Sequence, residues 1–157
     1  MKNKKIVMIG SAIITVCALF VVFLLFSSDI FGAMKRKSVI STLEHMDNID
    51  FVLINDNRRE NYFGGEYITQ DTEECRELKD IVLNALKTSD FDGTKENFLG
   101  GFALIVRIAY DENGEEIKLW FYEDRIEIEN GSDIVICKTA DSSGFYELLE
   151  YTSKDNE

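Results

Sequence analysis

The sequence predicts an α+β fold: an antiparallel sheet of four or five strands with helices packed on one face, preceded by a single N-terminal transmembrane helix. Three observations predict it. The run IVMIGSAIITVCALFVVFLLF, Ile6–Phe26, holds 21 residues without a charge. Between Leu104 and Cys137, apolar and polar residues alternate around Asn-Gly turns, the period of half-buried strands. Two stretches that begin at Asp71 and Asp141 carry apolar residues at helical spacing behind a capping residue.

The apolar run comes first. As a helix it is about 31 Å long, which matches a hydrocarbon core of about 30 Å. A secretory apolar core is shorter, about 7–15 residues. Cleavage wants small residues before the cut, yet Phe31 sits three positions out from a cut placed after Ala33. Cys17 follows Ile14, Thr15 and Val16 in mid-run, so a lipoprotein cut has no place either. The run therefore reads as an uncleaved anchor. Residues 1–5 become a cytoplasmic tail, 27–37 a basic juxtamembrane segment, and 38–157 the domain. Lys2, Lys4 and Lys5 flank one end of the span and Lys35, Arg36 and Lys37 the other. The first cluster abuts the span and the second is set back behind Asp29, which favours the N-terminus inside and an extracytoplasmic domain at the cell membrane.

Composition narrows the function. Residues 38–157 carry 11 Lys and Arg against 28 Asp and Glu, a formal charge of −17. Phosphate contacts need clustered cations, so nucleic acid is excluded as a partner. The acidity serves solubility and leaves the basic flank as the contact for lipid headgroups. The domain has two cysteines, Cys75 and Cys137, and the chain has no proline. That is neither a disulfide framework nor a zinc spacing.

Along the domain, Val39, Ile40, Leu43 and Met46 fit one face of a helix. DFVLIND is a strand, Arg58–Gly65 a loop and EYIT a short strand. Asp71 caps a helix with Glu74 placed to complete a capping box. Leu78, Ile81, Val82, Ala85 and Leu86 line its inner face, and Lys87 complements its C-terminal end. TSDFDGTKENFLGG reads as a loop.

The meander has a register. A two-residue turn at Asn113-Gly114 pairs Tyr110 with Ile117, Ile108 with Leu119 and Val106 with Phe121 on the core face. It sets Arg107 opposite Trp120, as a cation–π contact, and Ala109 opposite Lys118 on the outer face. A tight turn at Glu123-Asp124 pairs Phe121 with Ile126, Leu119 with Ile128, Trp120 with Glu127 and Lys118 with Glu129. A three-residue loop at Glu129–Gly131 keeps phase by pairing Ile126 with Ile134. Cys137 then points to the sheet face opposite Cys75, so both thiols stay free. The last helix carries Phe145, Leu148 and Leu149.

Few constellations carry chemistry. A catalytic base needs a partner beside it, and the one histidine, His45, reads as a solvated helix residue. Neither domain cysteine has a histidine partner in view. DFDGTKEN lacks the alternating ligands and closing glutamate of a calcium loop. Gly64-Gly65 and Gly100-Gly101 lack the lysine of a phosphate loop. Asn130-Gly131-Ser132 matches a glycosylation acceptor but is accounted for as a turn. No catalytic residue, metal ligand or cofactor is expected. What remains is the outer sheet face: Ile105, Arg107, Lys118, Trp120, Tyr122 and Arg125, an aromatic pair among three cations. Trp, Tyr and Arg are the types enriched at binding hot spots, and such a face suits an acidic or aromatic-rich peptide.

One span followed by an acidic domain of helix, strand, capped helix, the meander IVRIAYDENGEEIKLWFYEDRIEIENG and a closing helix resembles small extracytoplasmic domains of Gram-positive bacterial membrane proteins and lipoproteins. The resemblance covers residues 48–152 and lies in pattern; the lipoprotein members' modified cysteine is missing here. It implies no activity and transfers no site residue. The expectation is a non-enzymatic binding or regulatory domain on a single-pass anchor. The alternatives are an enzyme built on acidic residues and a cytoplasm-facing adaptor.

Overall fold

The computed structural model describes residues 16–17, 22, 29–57, 65–96, 103–110, 114–130 and 133–154. The chain forms two compact units, Met1–Phe31 and Gly32–Glu157. In the first, Val16, Cys17, Val22 and residues 29–31 are helical. The rest of the expected span Ile6–Phe26 lies outside the described residues, and among those described no helix is long and apolar enough to cross a membrane.

The second unit is α+β. A helix through residues 29–44 (α1) enters it at Gly32. There follow β1 (Phe51–Asp56), β2 (Glu66–Thr69), α2 (Thr72–Thr88), β3 (Asp90–Glu96), β4 (Leu104–Ala109), β5 (Glu116–Phe121), β6 (Arg125–Asn130), β7 (Asp133–Lys138) and α3 (Ser143–Lys154). All neighbours pair antiparallel in one seven-stranded sheet of order β2-β1-β4-β5-β6-β7-β3. The sheet therefore exceeds the four or five strands expected. The stretch read as a loop, from Asp90, supplies β3, which pairs with β7 and closes one edge. Its single inward apolar side chain is Phe91, and a bulge between Phe91 and Gly93 interrupts its alternation.

Alternation builds the core. Val52 and Ile54, Val106 and Ile108, Leu119 and Phe121, and Ile126 and Ile128 all point to one side. There they meet Leu43 of α1, Leu78 and Leu86 of α2, and Phe145 and Leu148 of α3 in one cluster. All three helices thus cover the same face, including the N-terminal one.

Three turns fix the register, and two differ from expectation. The β4–β5 ladder pairs Ile108 with Ile117, Val106 with Leu119 and Leu104 with Phe121, two residues displaced from the expected phase. Tyr110 N–H donates to Glu115 C=O (3.2 Å), so four residues, not two, make the loop, and Gly114 takes φ 76° at its end. Because the displacement is even, inward residues remain inward. The β5–β6 hairpin has the expected pairs Leu119↔Ile128, Trp120↔Glu127 and Phe121↔Ile126, closed by Tyr122 N–H to Arg125 C=O. At β6–β7 the loop is Gly131-Ser132, which lies outside the described residues; Asn130 pairs with Asp133 and Ile126 with Cys137, not Ile134. This odd displacement exchanges the faces of β7. Val135 and Cys137 enter the core, while Ile134 and Ile136 face the other side and are buried there too.

Cys137 therefore shares the helix-bearing face with Cys75, contrary to expectation, and both remain free thiols. Their separation has another cause. Cys75 donates to Thr69 C=O in the first turn of α2, whereas Cys137 lies beside Ser89, just past the last turn. About 14 helical residues, or about 21 Å, stand between. Burial pushes both thiols up in pKa; at Cys137 it outweighs the Arg36 charge beside it.

Both ends of α2 have hydrogen-bond partners. Asp71 accepts from Glu73 N–H (2.9 Å) and Glu74 N–H (3.0 Å). Glu74 does not complete the capping box: its carboxylate accepts from Tyr67 and Thr69 hydroxyls, each at 2.7 Å. At the other end, Arg36 of α1 donates to Leu86 C=O (2.7 Å) and Ser89 C=O, neutralising the C-terminal carbonyls of α2. Lys87 adds an ion pair to Glu44 (2.8 Å). Gly32 is required here, since a Cβ would collide with Thr94 Oγ1 and the Phe91 ring.

Candidate binding surface on the outer sheet face

Register brings the six residues singled out in the sequence to the face opposite the helices. A row runs across the sheet through Asn55, Ile105, Trp120, Glu127 and Ile136, each opposite the next. Beside it run Leu53, Arg107 and Lys118. Tyr122 and Arg125 stand at the β5–β6 turn.

The contacts differ from those expected. Arg107 does not cover Trp120; the two-residue displacement sets it opposite Lys118. It reaches Glu116 instead, with Nε at 2.9 Å and Nη2 at 2.6 Å from one carboxylate oxygen. Lys118 takes its place over the indole, with Nζ 4.9 Å from the ring centroid. Arg125 stacks on Tyr122 at 3.8 Å and pairs with Glu127 (2.8 Å) and Asp124 (3.0 Å). The Tyr122 phenol is pushed up in pKa, first by burial and then by the Glu127 charge. Two of the three cations are thus neutralised by carboxylates within the face, and the cationic ring read from the sequence is not a net positive patch.

Exposure divides the face. Trp120 is only 9% exposed, Glu127 8%, Ile134 5% and Ile136 6%, so the β5–β6–β7 half is closed. The β2–β1–β4 half is open. Ile68, on edge strand β2, is 55% exposed, and its register partner Leu53 lies next to Arg107. Leu53, Ile105 and Arg107 are half-buried. Sequence reasoning missed Ile68 and Leu53 because nothing local placed β1 beside β4. The available signal was alternation in EYIT: with Tyr67 and Thr69 inward, Ile68 must face out.

Elsewhere chemistry is sparse. His45 is exposed at the end of α1 and its Nδ1 donates to Ser41 C=O (2.8 Å), a local helix-end contact. Among the described residues no cluster of three His, Cys, Asp or Glu side chains is placed to hold a metal ion. No family profile, curated protein or solved structure matches the chain.

Proposed function

We propose that the chain is a single-pass membrane protein displaying a non-catalytic extracytoplasmic domain that binds a protein or peptide partner through the open half of its outer sheet face. Ile68 carries the reading. A large apolar side chain more than half exposed on a short strand that is at the sheet edge among the described residues, beside Leu53, Ile105 and Arg107, offers side-chain contact and an edge for main-chain pairing together. The 21-residue uncharged run Ile6–Phe26 supports the tether, and its flanking lysines support the orientation. A photo-crosslinking residue at position 68, in membranes, should capture a discrete partner that the same residue at exposed Asp80 does not. Equal capture at both positions would remove the surface. Protease added outside spheroplasts should digest the domain; protection would instead favour the cytoplasm-facing adaptor.

A further inference from the structure

The main chain of β2 has a direction. Asp56 N–H donates to Gly65 C=O (2.9 Å), so Gly65, and by alternation Tyr67 and Thr69, turn their main-chain groups toward β1. The N–H and C=O of Glu66 and Ile68 therefore point the other way, where among the described residues no strand lies. Tyr67 and Thr69 bury their side chains, while Glu66 and Ile68 are exposed on the outer face. Ile68 thus presents a 55% exposed apolar side chain and an outward donor and acceptor at one position.

The stretch EYITQ, Glu66–Gln70, is self-complementary about Ile68. Laid antiparallel on a copy of itself with Ile68 opposite Ile68, it sets Tyr67 opposite Thr69 and Glu66 opposite Gln70. The two Ile68 residues then exchange both main-chain hydrogen bonds and cover each other's side chains. No like charges meet. Glu66, which already accepts from Asn55 Nδ2 (3.2 Å), faces a neutral amide donor. The neighbouring registers toward the start of β2 set Ile68 against Glu66, or Glu66 against Glu66, and are disfavoured. The two-fold axis of such a pair stands normal to the sheet. Both copies keep their helix-bearing faces, and α1 with them, on one side, as two anchors in one bilayer require.

We propose that β2 pairs with β2 of a second copy of the chain about Ile68, joining two seven-stranded sheets into one. This rests on the surface proposed above and names its occupant. The formal charge of −17 on residues 38–157 opposes self-association, but salt screens charges more than about 8 Å apart. Two anchored copies also share one bilayer, which raises their local concentration and lets a short contact suffice.

Cysteine pairs in the full-length chain, in membranes, test the register. Cys17→Ser removes the exposed native thiol; Cys75 and Cys137 are buried. In that background Ile68→Cys should oxidise to a disulfide-linked dimer, because directly opposed Cα atoms lie about 5.5 Å apart. Glu66→Cys alone should not, since its two copies stand four residues, about 14 Å, out of step. Glu66→Cys and Gln70→Cys chains expressed together should join. Independently, Ile68→Lys in detergent micelles, with the fold kept because position 68 is exposed, should weaken the dimer about tenfold by sedimentation. No dimer through position 68, equally ready dimers through position 66, or a dimer indifferent to Ile68→Lys would each overturn the proposal. A photo-crosslinking residue at position 68 that captures a protein other than this chain would overturn the second copy and leave the surface reading standing.

Discussion

Arg36 looks like one member of a basic flank, yet its guanidinium sits on the C-terminal carbonyls of α2, about 50 residues away in sequence. Arg36→Ala removes two hydrogen bonds from a charged donor, each worth about 1.5–3 kcal/mol. Both leave from one nitrogen, so their sum is an upper bound. The same substitution removes the buried Nε, which has no hydrogen-bond partner among the described residues and costs about 1–3 kcal/mol as it stands. Leu86 and Ser89 are buried, but truncating the partly exposed Arg36 to alanine opens a path for water to their freed carbonyls. The net loss should be about 2 kcal/mol. Urea unfolding of the full-length protein in detergent, followed through Trp120, reads it as a midpoint lowered by about 1 M for a slope of about 2 kcal/mol/M. Lys37→Ala, exposed in the same cluster, is the control and should change nothing. Equal effects of the two substitutions, or a loss below about 0.5 kcal/mol for Arg36→Ala, would refute the capping role and return Arg36 to the surface.

Phe121→Ala, in the core at 1% exposure, should cost about 3–5 kcal/mol. Trp120→Ala should also destabilise by more than about 2 kcal/mol, since the indole is nearly covered on the outer face; an unchanged melting temperature would show that it is not. Asp71→Ala should lower stability by about 1 kcal/mol through loss of the α2 cap, measured by thermal unfolding. Cys75 and Cys137 should resist alkylation in the native protein and both label after unfolding without reductant; a mass matching an intramolecular disulfide would contradict their placement. Tyr67 and Tyr151, their rings 5.3 Å apart, are each pushed up to about 12, by burial first and then by Glu74 and Glu77 respectively. The folded state holds both phenols neutral, so their contribution is complete below about pH 10 and is lost as pH rises through about 12. An alkaline melting series should decline over that window, and Tyr67→Phe should blunt the decline.

Where local pattern and tertiary packing agree, the sequence was legible. The α2 helix has its Asp71 cap, its inward Leu78, Val82 and Leu86 and its terminal lysine as read, though not the capping box, and the β5–β6 hairpin has its register over three pairs, Lys118 and Glu129 not being joined. The inward sets of β4 and β5 survived a wrong loop length because the error was even. The odd error at β6–β7 did not. Ile134 and Ile136 are more apolar than Cys137, so placing them inward looked right; β7 is buried on both faces, which erases the alternation that would have set its phase. At the candidate surface, the outward residues of β4 and β5 were readable, but their partners were not. Arg107 against Glu116, and Ile68 exposed beside Leu53, depend on a loop length and a strand order that no local window contains.

The placement of β3 sets a schedule for folding. Asp90 pairs with Lys138, 48 residues later, and among the described residues no other strand borders it. At about 5–20 residues per second, β3 waits a few seconds during synthesis for its partner to exist. An apolar strand with free edges would invite foreign pairing in that interval. The segment DFDGTKE carries four charges and a glycine around one phenylalanine. The composition that disguises it as a loop is also the charged, glycine-containing kind that disfavours foreign strand pairing before β7 arrives.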